Sequence, residues 1–254
     1  MALMYFGLSG FSPDNIPVGS AIASKGREGR SIGGLISFAF WDAKNPPHLQ
    51  WRPFIREWIL DSGAYSAFVA GKGIDLQALT ETALALQGGA FPPATVFGLD
   101  VIGDPVLSRK NTEKMRAAGV DAVPTFHFGE PLEHLDSLAA DYSEIAVGGM
   151  VGKPPRVVFA WLSSVLRRVW PRKVHGFGLA RRAYFAGMPL HSVDSALWFS
   201  DALRFNDYQR FGYLRSRRPR AEINLGSNID AFLEMEARSE VKWRKQLKQI
   251  RGKS

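Results

Sequence analysis

Short apolar runs rich in β-branched residues recur along this chain of 254 residues. Eight of these runs are candidate strands: 3–8, 32–40, 57–60, 94–99, 121–128, 144–149, 173–179 and 190–194. Five other segments have helical spacing of apolar residues: 76–87, 105–119, 131–142, 154–170 and 195–207. Continuous apolar strands that alternate with helices are typical of a parallel sheet buried on both faces. The pattern predicts an α/β protein with a (β/α)8 TIM-like barrel, and a doubly wound open sheet is the alternative.

The two ends of the chain depart from this alternation. Segment 17–34 is rich in Gly and Ser and has no clear helical pattern, which predicts an irregular N-terminal part. The segment from Ser227 onward is amphipathic and predicts one long helix, with Ser227 as the N-cap and Asp230 three residues later. We therefore expect a catalytic barrel over 1–210 and a basic helical extension over 211–254 that packs on the barrel.

The composition excludes several classes of site and of location. The chain has no cysteine, which excludes disulfides, a thiolate nucleophile, an iron–sulfur cluster and a Cys-ligated zinc site. The N-terminal segment has no basic region before its short apolar stretch, so we expect no signal peptide. No apolar run approaches 18 residues, so we expect no membrane span and a cytoplasmic protein.

The positive charge is concentrated near the C-terminus. The formal net charge is +8; residues 1–200 hold 19 basic and 17 acidic residues, whereas residues 201–254 hold 13 and 7. Arginines stand beside aromatic residues there, a combination that suits contacts with nucleic-acid phosphates. A solvated basic tail with no binding role is the alternative.

Polar and small residues stand where the predicted strands end. They are Asp61, Asp100, His127, Gly148, Gly149, His175 and Asp194. The active site of a parallel barrel is built at the C-terminal ends of its strands, so these residues are catalytic candidates. A helix N-cap is the alternative role for any single aspartate. Three aspartates at equivalent strand ends, each among small residues, favour a catalytic site.

Four segments resemble motifs of the tRNA-guanine transglycosylases. ILDSGAYSAF (59–68) resembles their Asp-Ser-Gly-Gly-aromatic segment, and FGLDVIGDP (97–105) resembles the segment of their second substrate-contacting aspartate. IAVGGMVG (145–152) is similar to their Gly-rich base-contacting loop, and HSVDSALW (191–198) is similar to the segment of the nucleophilic aspartate. The compact phage and bacterial branch that places 7-deazaguanines in DNA is the most similar to this chain, on the combination of GLDVIGDP, VPTFHFGEP, AVGGMVG, VHGFGLA and HSVDSALW.

The resemblance implies a barrel enzyme that removes guanine from a polynucleotide and inserts a free 7-deazaguanine such as preQ0. Carried onto this sequence, it implies that Asp194 is the nucleophile, Asp61 the general acid/base and Asp100 the reader of the guanine edge. It also implies base contacts from Ser62 and from the backbone of Gly148 and Gly149.

Other residues are candidate substrate contacts because of their chemistry and position. Tyr65 could stack on the base, and His127 and His175 could bind phosphate or substrate. The candidate phosphate-binding residues are Arg181, Arg182, Arg215, Arg217 and Arg218. A base must leave its stack to reach a pocket at the barrel mouth, so cationic surface around that pocket is expected.

The sequence also departs from the tRNA enzymes. It lacks their Cys/Cys/Cys/His zinc site, so we expect no metal and DNA as a substrate in preference to tRNA. Exchange of one N-glycosidic bond for another is nearly energy-neutral, and no phosphate-binding P-loop motif is present, so we expect no cofactor. The oligomeric state stays open, with a homodimer as one alternative because the related tRNA enzymes are commonly dimers.

Other functions remain open from the sequence. One is a hydrolytic N-glycosidase or DNA glycosylase on the same barrel, and another is a transglycosylase directed at tRNA. A third is a metal-dependent barrel hydrolase that uses His127, His175 and Asp194. A non-catalytic nucleic-acid binder is the fourth, and it leaves the strand-end aspartates unexplained.

Overall fold

The computed structural model describes residues 3–14, 18–179, 184, 187–196, 198–199 and 225–239. Its strands are β1 (Leu3–Gly7), β2 (Ile32–Ser37), β3 (Ile55–Asp61), β4 (Thr95–Phe97), β5 (Ala122–Val123), β6 (Thr125–His127), β7 (Glu144–Gly148), β8 (Lys173–Gly176) and β9 (Ser192–Ser195). Its helices are α1 (Val18–Arg27), α2 (Pro47–Trp51), α3 (Ala64–Val69), α4 (Leu76–Gln87), α5 (Pro105–Ala117), α6 (Leu132–Asp141), α7 (Pro155–Val169) and α8 (225–239), with a 3₁₀ turn over Phe38–Phe40.

The strands form one parallel sheet that closes into a barrel. Their order is β5-β4-β3-β2-β1-β9-β8-β7-β6, so β1 lies between β2 and β9. β5 and β6, at the two ends of this order, are separated only by Pro124. Proline has no N–H to donate to the ladder, which interrupts the strand there, but the Pro124 carbonyl accepts a bond of 2.8 Å from Ala146 N–H of β7. The predicted (β/α)8 barrel is confirmed, and the open-sheet alternative is wrong.

Alternation along the strands separates two apolar layers. One cluster of buried side chains takes one residue from each of six strands: Tyr5, Leu35, Ile59, Phe97, Val123 and Ala146. The intervening positions, such as Met4 and Phe6, belong to a larger cluster shared with the surrounding helices. The first cluster therefore fills the barrel interior. Asp61 follows Ile59 by two residues, so its side chain lies on the inward side at the end of β3.

The expectation of an irregular segment at 17–34 is wrong, because α1 occupies most of it. Val18, Ile22 and Lys25 are buried and follow helical spacing, so this helix has a face that packs on the barrel. A β-carbon at Gly19 would lie 1.6 Å from the carbonyl oxygen of Pro13. Glycine stands there because the helix approaches that backbone closely, and the same glycine hides the helical pattern in the sequence.

The described part of the C-terminal segment is a helix that belongs to the barrel core. Phe232 of α8 is fully buried and meets Phe6 edge to face at 5.7 Å between ring centroids. Ser227 lies inside α8, so the predicted N-cap is wrong. Asp230 instead accepts bonds from Lys25 Nζ at 2.9 Å and Arg30 Nη1 at 2.6 Å. Residues 225–239 of the expected extension pack on the barrel, and the expected division of the chain after residue 210 stays a prediction.

The other predicted helices agree with the structure. The segment 76–87 is helical over its whole length. The helices α5, α6 and α7 are shorter than the predicted segments 105–119, 131–142 and 154–170 by only one or two residues at an end. Of the segment 195–207, the helical residues described are Trp198 and Phe199. Among the described residues, no helix has both the length and the apolar character needed to cross a membrane.

Candidate active site

The structure brings the three predicted aspartates together at one end of the barrel. Asp61 ends β3, Asp100 follows β4 by three residues, and Asp194 lies in β9. Because all the strands are parallel, their C-terminal ends meet at the same face. Asp100 and Asp194 lie close enough to Asp61 for their negative charges to raise its pKa. The three carboxyl groups therefore form a single electrostatically coupled site.

Asp61 has a strongly perturbed ionisation. Burial raises the pKa of this carboxyl from 3.8 to about 7, and the charges of Asp100 and Asp194 contribute to the rise. Gly63 N–H donates a bond of 3.2 Å to Asp61 Oδ2, which opposes the shift in part. A carboxyl with a pKa near 7 exists in both protonation states at neutral pH, so it can donate or accept a proton.

The turn after Asp61 places two further groups. Gly63 has φ of +81°, and a β-carbon there would lie 2.5 Å from Ala39 N, so only glycine fits. The buried Ser62 hydroxyl donates to Asp100 Oδ1 at 3.1 Å. Ser62, expected to contact the base, thus holds one of the site carboxylates.

His127 links Asp100 to a residue that the sequence analysis missed. His127 Nε2 lies 2.9 Å from Asp100 Oδ2, and Nδ1 lies 3.0 Å from Glu130 Oε1. Burial lowers the pKa of His127, but the hydrogen bonds and charges of Asp100 and Glu130 outweigh it and raise the value to about 9. The imidazole is therefore charged at neutral pH. His127 ends β6 and Glu130 follows three residues later in the next turn, and this short spacing is the feature of the sequence that could have indicated the pair.

Asp194 lies beside groups at the end of the neighbouring strand β8 and in the turn that follows it. Gly178 N–H donates to Asp194 Oδ1 at 2.9 Å, and His175 Nε2 lies 3.4 Å from the same oxygen. His175 is fully buried, and its Nδ1 lies 2.8 Å from the hydroxyl of Ser192. The rings of Phe97 and Phe177 each lie 4.7 Å from that of His175 between centroids. These two aromatic rings pack against the imidazole of His175 beside Asp194.

The two glycines at the end of β7 keep the site compact. A β-carbon at Gly148 would lie 3.3 Å from His127 Cδ2, so the glycine leaves room for the imidazole ring. Gly149 has φ of +76°, a conformation that favours glycine, and a β-carbon there would lie 3.1 Å from Phe128 N. The backbone at 148–149 therefore passes directly beside His127.

Tyr65 lies on the protein surface. Its side chain is 55% exposed on α3, the helix that follows Asp61, and Phe68 and Val69 of the same helix are exposed as well. The predicted phosphate-binding residues Arg181, Arg182, Arg215, Arg217 and Arg218 lie outside the described residues.

The two histidines of the site have different hydrogen-bond partners and do not form one ligand set. His127 is hydrogen-bonded to Asp100 and Glu130, whereas His175 is hydrogen-bonded to Ser192 and lies near Asp194. Within the described part of the chain, no group of three or more acidic or histidine side chains could hold a metal ion. The metal-dependent hydrolase thus gains no support from the arrangement of these residues.

The comparisons with known proteins identify the fold. No protein-family model matches the sequence, and no curated protein is significantly similar to it. One similar solved structure is a variant tryptophan synthase alpha-subunit from the hyperthermophile Pyrococcus furiosus, with 15% identity over 92% of this chain and 98% of that chain and a TM-score of 0.55. Another is a protein assigned as a fructose-1,6-biphosphate aldolase from Coccidioides immitis, with 11% identity over 92% and 89% of the two chains and a TM-score of 0.56. At these identities the similarity shows the barrel fold alone.

Proposed function

We propose that this chain is a guanine transglycosylase that acts on nucleic acid, on DNA in preference to tRNA. It would exchange guanine for a free 7-deazaguanine such as preQ0. The observation that carries the proposal is the coupled group of three strand-end carboxyls, in which Asp61 has a pKa of about 7 beside Asp100 and Asp194. The motifs around these residues, which resemble those of transglycosylases, supply the substrate class.

The Asp194 carboxylate is the nucleophile in this proposal. Gly178 N–H donates a hydrogen bond to this carboxylate, and the buried His175 lies beside it. Cleavage of the C1′–N9 bond develops positive charge at C1′, which a carboxylate can capture as a covalent intermediate. In the first step a bond forms between Asp194 and C1′ as the bond to N9 breaks. The sugar is thereby held on the protein while the bases exchange.

Asp61 transfers the proton that accompanies each step. The departing guanine takes a proton from Asp61, and the incoming base later gives a proton back as its nitrogen displaces Asp194 from C1′. Both carboxyl groups thus return to their starting states. A pKa near 7 suits this double role because donor and acceptor forms are both populated at neutral pH.

Asp100 reads the base. A carboxylate has about four lone-pair positions, and the bonds from Ser62 and His127 use one on each oxygen. The remaining positions can accept from guanine N1–H and the exocyclic amine, a donor pair that adenine does not offer. Selection of guanine over adenine follows from this acceptor geometry.

The surface beside the site suits a polynucleotide whose target base has left its stack. Tyr65 and Phe68 are exposed on α3, next to Asp61 in the chain, and exposed aromatic rings stack on bases with little regard to sequence. This surface supports a nucleic acid as substrate in preference to a free nucleoside.

Base incorporation tests the proposal directly. The full chain is incubated with duplex DNA, single-stranded DNA or tRNA and with isotopically labelled guanine or preQ0, and the nucleosides are analysed by mass spectrometry. We expect label in DNA, less in tRNA, and none with Asp194→Asn. Asp121→Asn, which changes a side chain that is 87% exposed, is the matched control and should exchange normally. Abasic DNA formed without an added base would instead indicate the hydrolytic alternative.

A further inference from the structure

Asp100 is held by a chain of partly buried hydrogen bonds that continues away from the site. Its Oδ1 accepts from Ser62, its Oδ2 faces His127 Nε2, and His127 Nδ1 faces Glu130 Oε1. The side chains of Asp100, His127 and Glu130 are only 14%, 12% and 9% exposed. An imidazole between two carboxylates can satisfy both only when it is protonated, because the neutral ring has a single N–H.

The backbone builds this arrangement into the turn after β6. Gly129 has φ of +93°, and Glu130 N–H donates to the carbonyl of His127 at 3.1 Å, so the chain folds back and brings Glu130 beside His127. Gly148 leaves space for the ring on its other side. The turn therefore places the second carboxylate where it meets the imidazole.

We propose that His127 and Glu130 are positioning residues that hold the carboxylate of Asp100 fixed as an acceptor for the N–H donors of a ligand. The inference rests on the proposed role of Asp100 as the reader of the base. A charged hydrogen bond from His127 orients the carboxylate, and Glu130 keeps the imidazole charged. Selectivity for a ligand with adjacent N–H donors is thus set partly by residues that do not touch the ligand.

The charges around His127 agree with this role. Asp100 and Glu130 face the ring and raise its pKa to about 9. His134 of α6 has Nε2 3.8 Å from the buried Glu130 Oε2, an atom with no hydrogen-bond partner among the described residues. The pKa of His134 is lowered, by burial first and with Arg109 and His127 contributing, although Glu130 opposes the shift. His134 is therefore neutral at pH 7.5, and His127 is the histidine beside Glu130 that carries the positive charge.

Imidazole NMR on the full chain tests the charge state without any ligand. The protein has five histidines, and the signals lost in His127→Gln assign this ring. We expect His127 to be protonated at pH 7.5 and to titrate near pH 9, and to titrate at lower pH in Glu130→Gln and in Asp100→Asn. Glu133→Gln changes an exposed residue of α6, three positions after Glu130, and should leave the titration of His127 unchanged. A neutral His127 at pH 7.5, or an unchanged titration in Glu130→Gln, would overturn the proposal.

Ligand selectivity tests the consequence for binding. Calorimetry at pH 7.5 compares guanine with hypoxanthine, which lacks the exocyclic amine. We expect the ratio of the two affinities to fall by about tenfold to a hundredfold in His127→Ala and to recover in part in His127→Gln, whose amide can still donate to Asp100. An unchanged ratio in His127→Ala would overturn the positioning role. If neither base binds the wild-type protein, the proposed function fails, and the NMR titration still decides whether His127 and Glu130 hold Asp100.

Discussion

Replacing Asp61 with Asn removes a carboxyl whose ionisation opposes folding at neutral pH. Burial and the charges of Asp100 and Asp194 raise its pKa from 3.8 to about 7. In the window between these values the folded protein keeps a proton that the unfolded chain has released. The stabilisation that the folded state gains from holding this proton is therefore complete below about pH 4, and it is lost as the pH rises through about 7. A shift of about three pKa units corresponds to about 4 kcal/mol lost over the whole window.

Urea unfolding at pH 5 and pH 8.5 measures this effect. We expect the free energy of unfolding of Asp61→Asn, relative to wild type, to rise by about 3 kcal/mol between these two pH values. The amide oxygen that Asn introduces can still accept the bond from Gly63 N–H, so the substitution keeps this contact. Asp121→Asn, which changes a carboxyl that is 87% exposed, is the matched control. If the free energy of unfolding differed by the same amount between Asp61→Asn and wild type at both pH values, the raised pKa of Asp61 would be refuted.

Two further predictions concern the scaffold, and urea unfolding tests both. Phe232→Ala should lower the free energy of unfolding by about 3–5 kcal/mol, because the ring is fully buried against Phe6; a loss below about 1 kcal/mol would mean that α8 is not part of the core. Gly63→Ala should destabilise more than Gly71→Ala, because both glycines have positive φ but only Gly63 would also bring a β-carbon to 2.5 Å from backbone. Equal losses of the free energy of unfolding in the two variants would contradict the close approach of Gly63 to the backbone of Ala39.

The sequence predicts the barrel and the meeting of the aspartates for a general reason. Parallel strands place their C-terminal ends at one face, so residues such as Asp61 and Asp194, which are far apart in sequence, must converge there. The break between β5 and β6 also has a local cause, because Pro124 cannot donate to the ladder. Periodicity and the rules of parallel sheets were sufficient for these features.

Features that depend on contacts between distant segments could not be predicted. In the sequence, Gly19 makes its segment resemble a loop. The glycine is explained only by the close approach of α1 to the Pro13 carbonyl in the folded protein. Asp230 stands at a plausible capping distance from Ser227, yet its partners Lys25 and Arg30 lie about 200 residues earlier.

The bonds around Asp100 have the same origin. Ser62, His127 and Glu130 come from two turns that meet only in the folded barrel. Sequence spacing within one turn indicates the pair of His127 and Glu130, but nothing local indicates that Ser62 would share Asp100 with them.

The covalent intermediate is the most direct test of the central claim. DNA is mixed with the full chain without an incoming base, the reaction is quenched with denaturant, and peptide mass spectrometry locates any nucleotide attached to the protein. We expect an adduct on Asp194 that disappears when preQ0 is added before the quench, and no adduct in Asp194→Asn. Base release with no adduct on the wild-type protein, or an adduct on a different residue, would contradict the account.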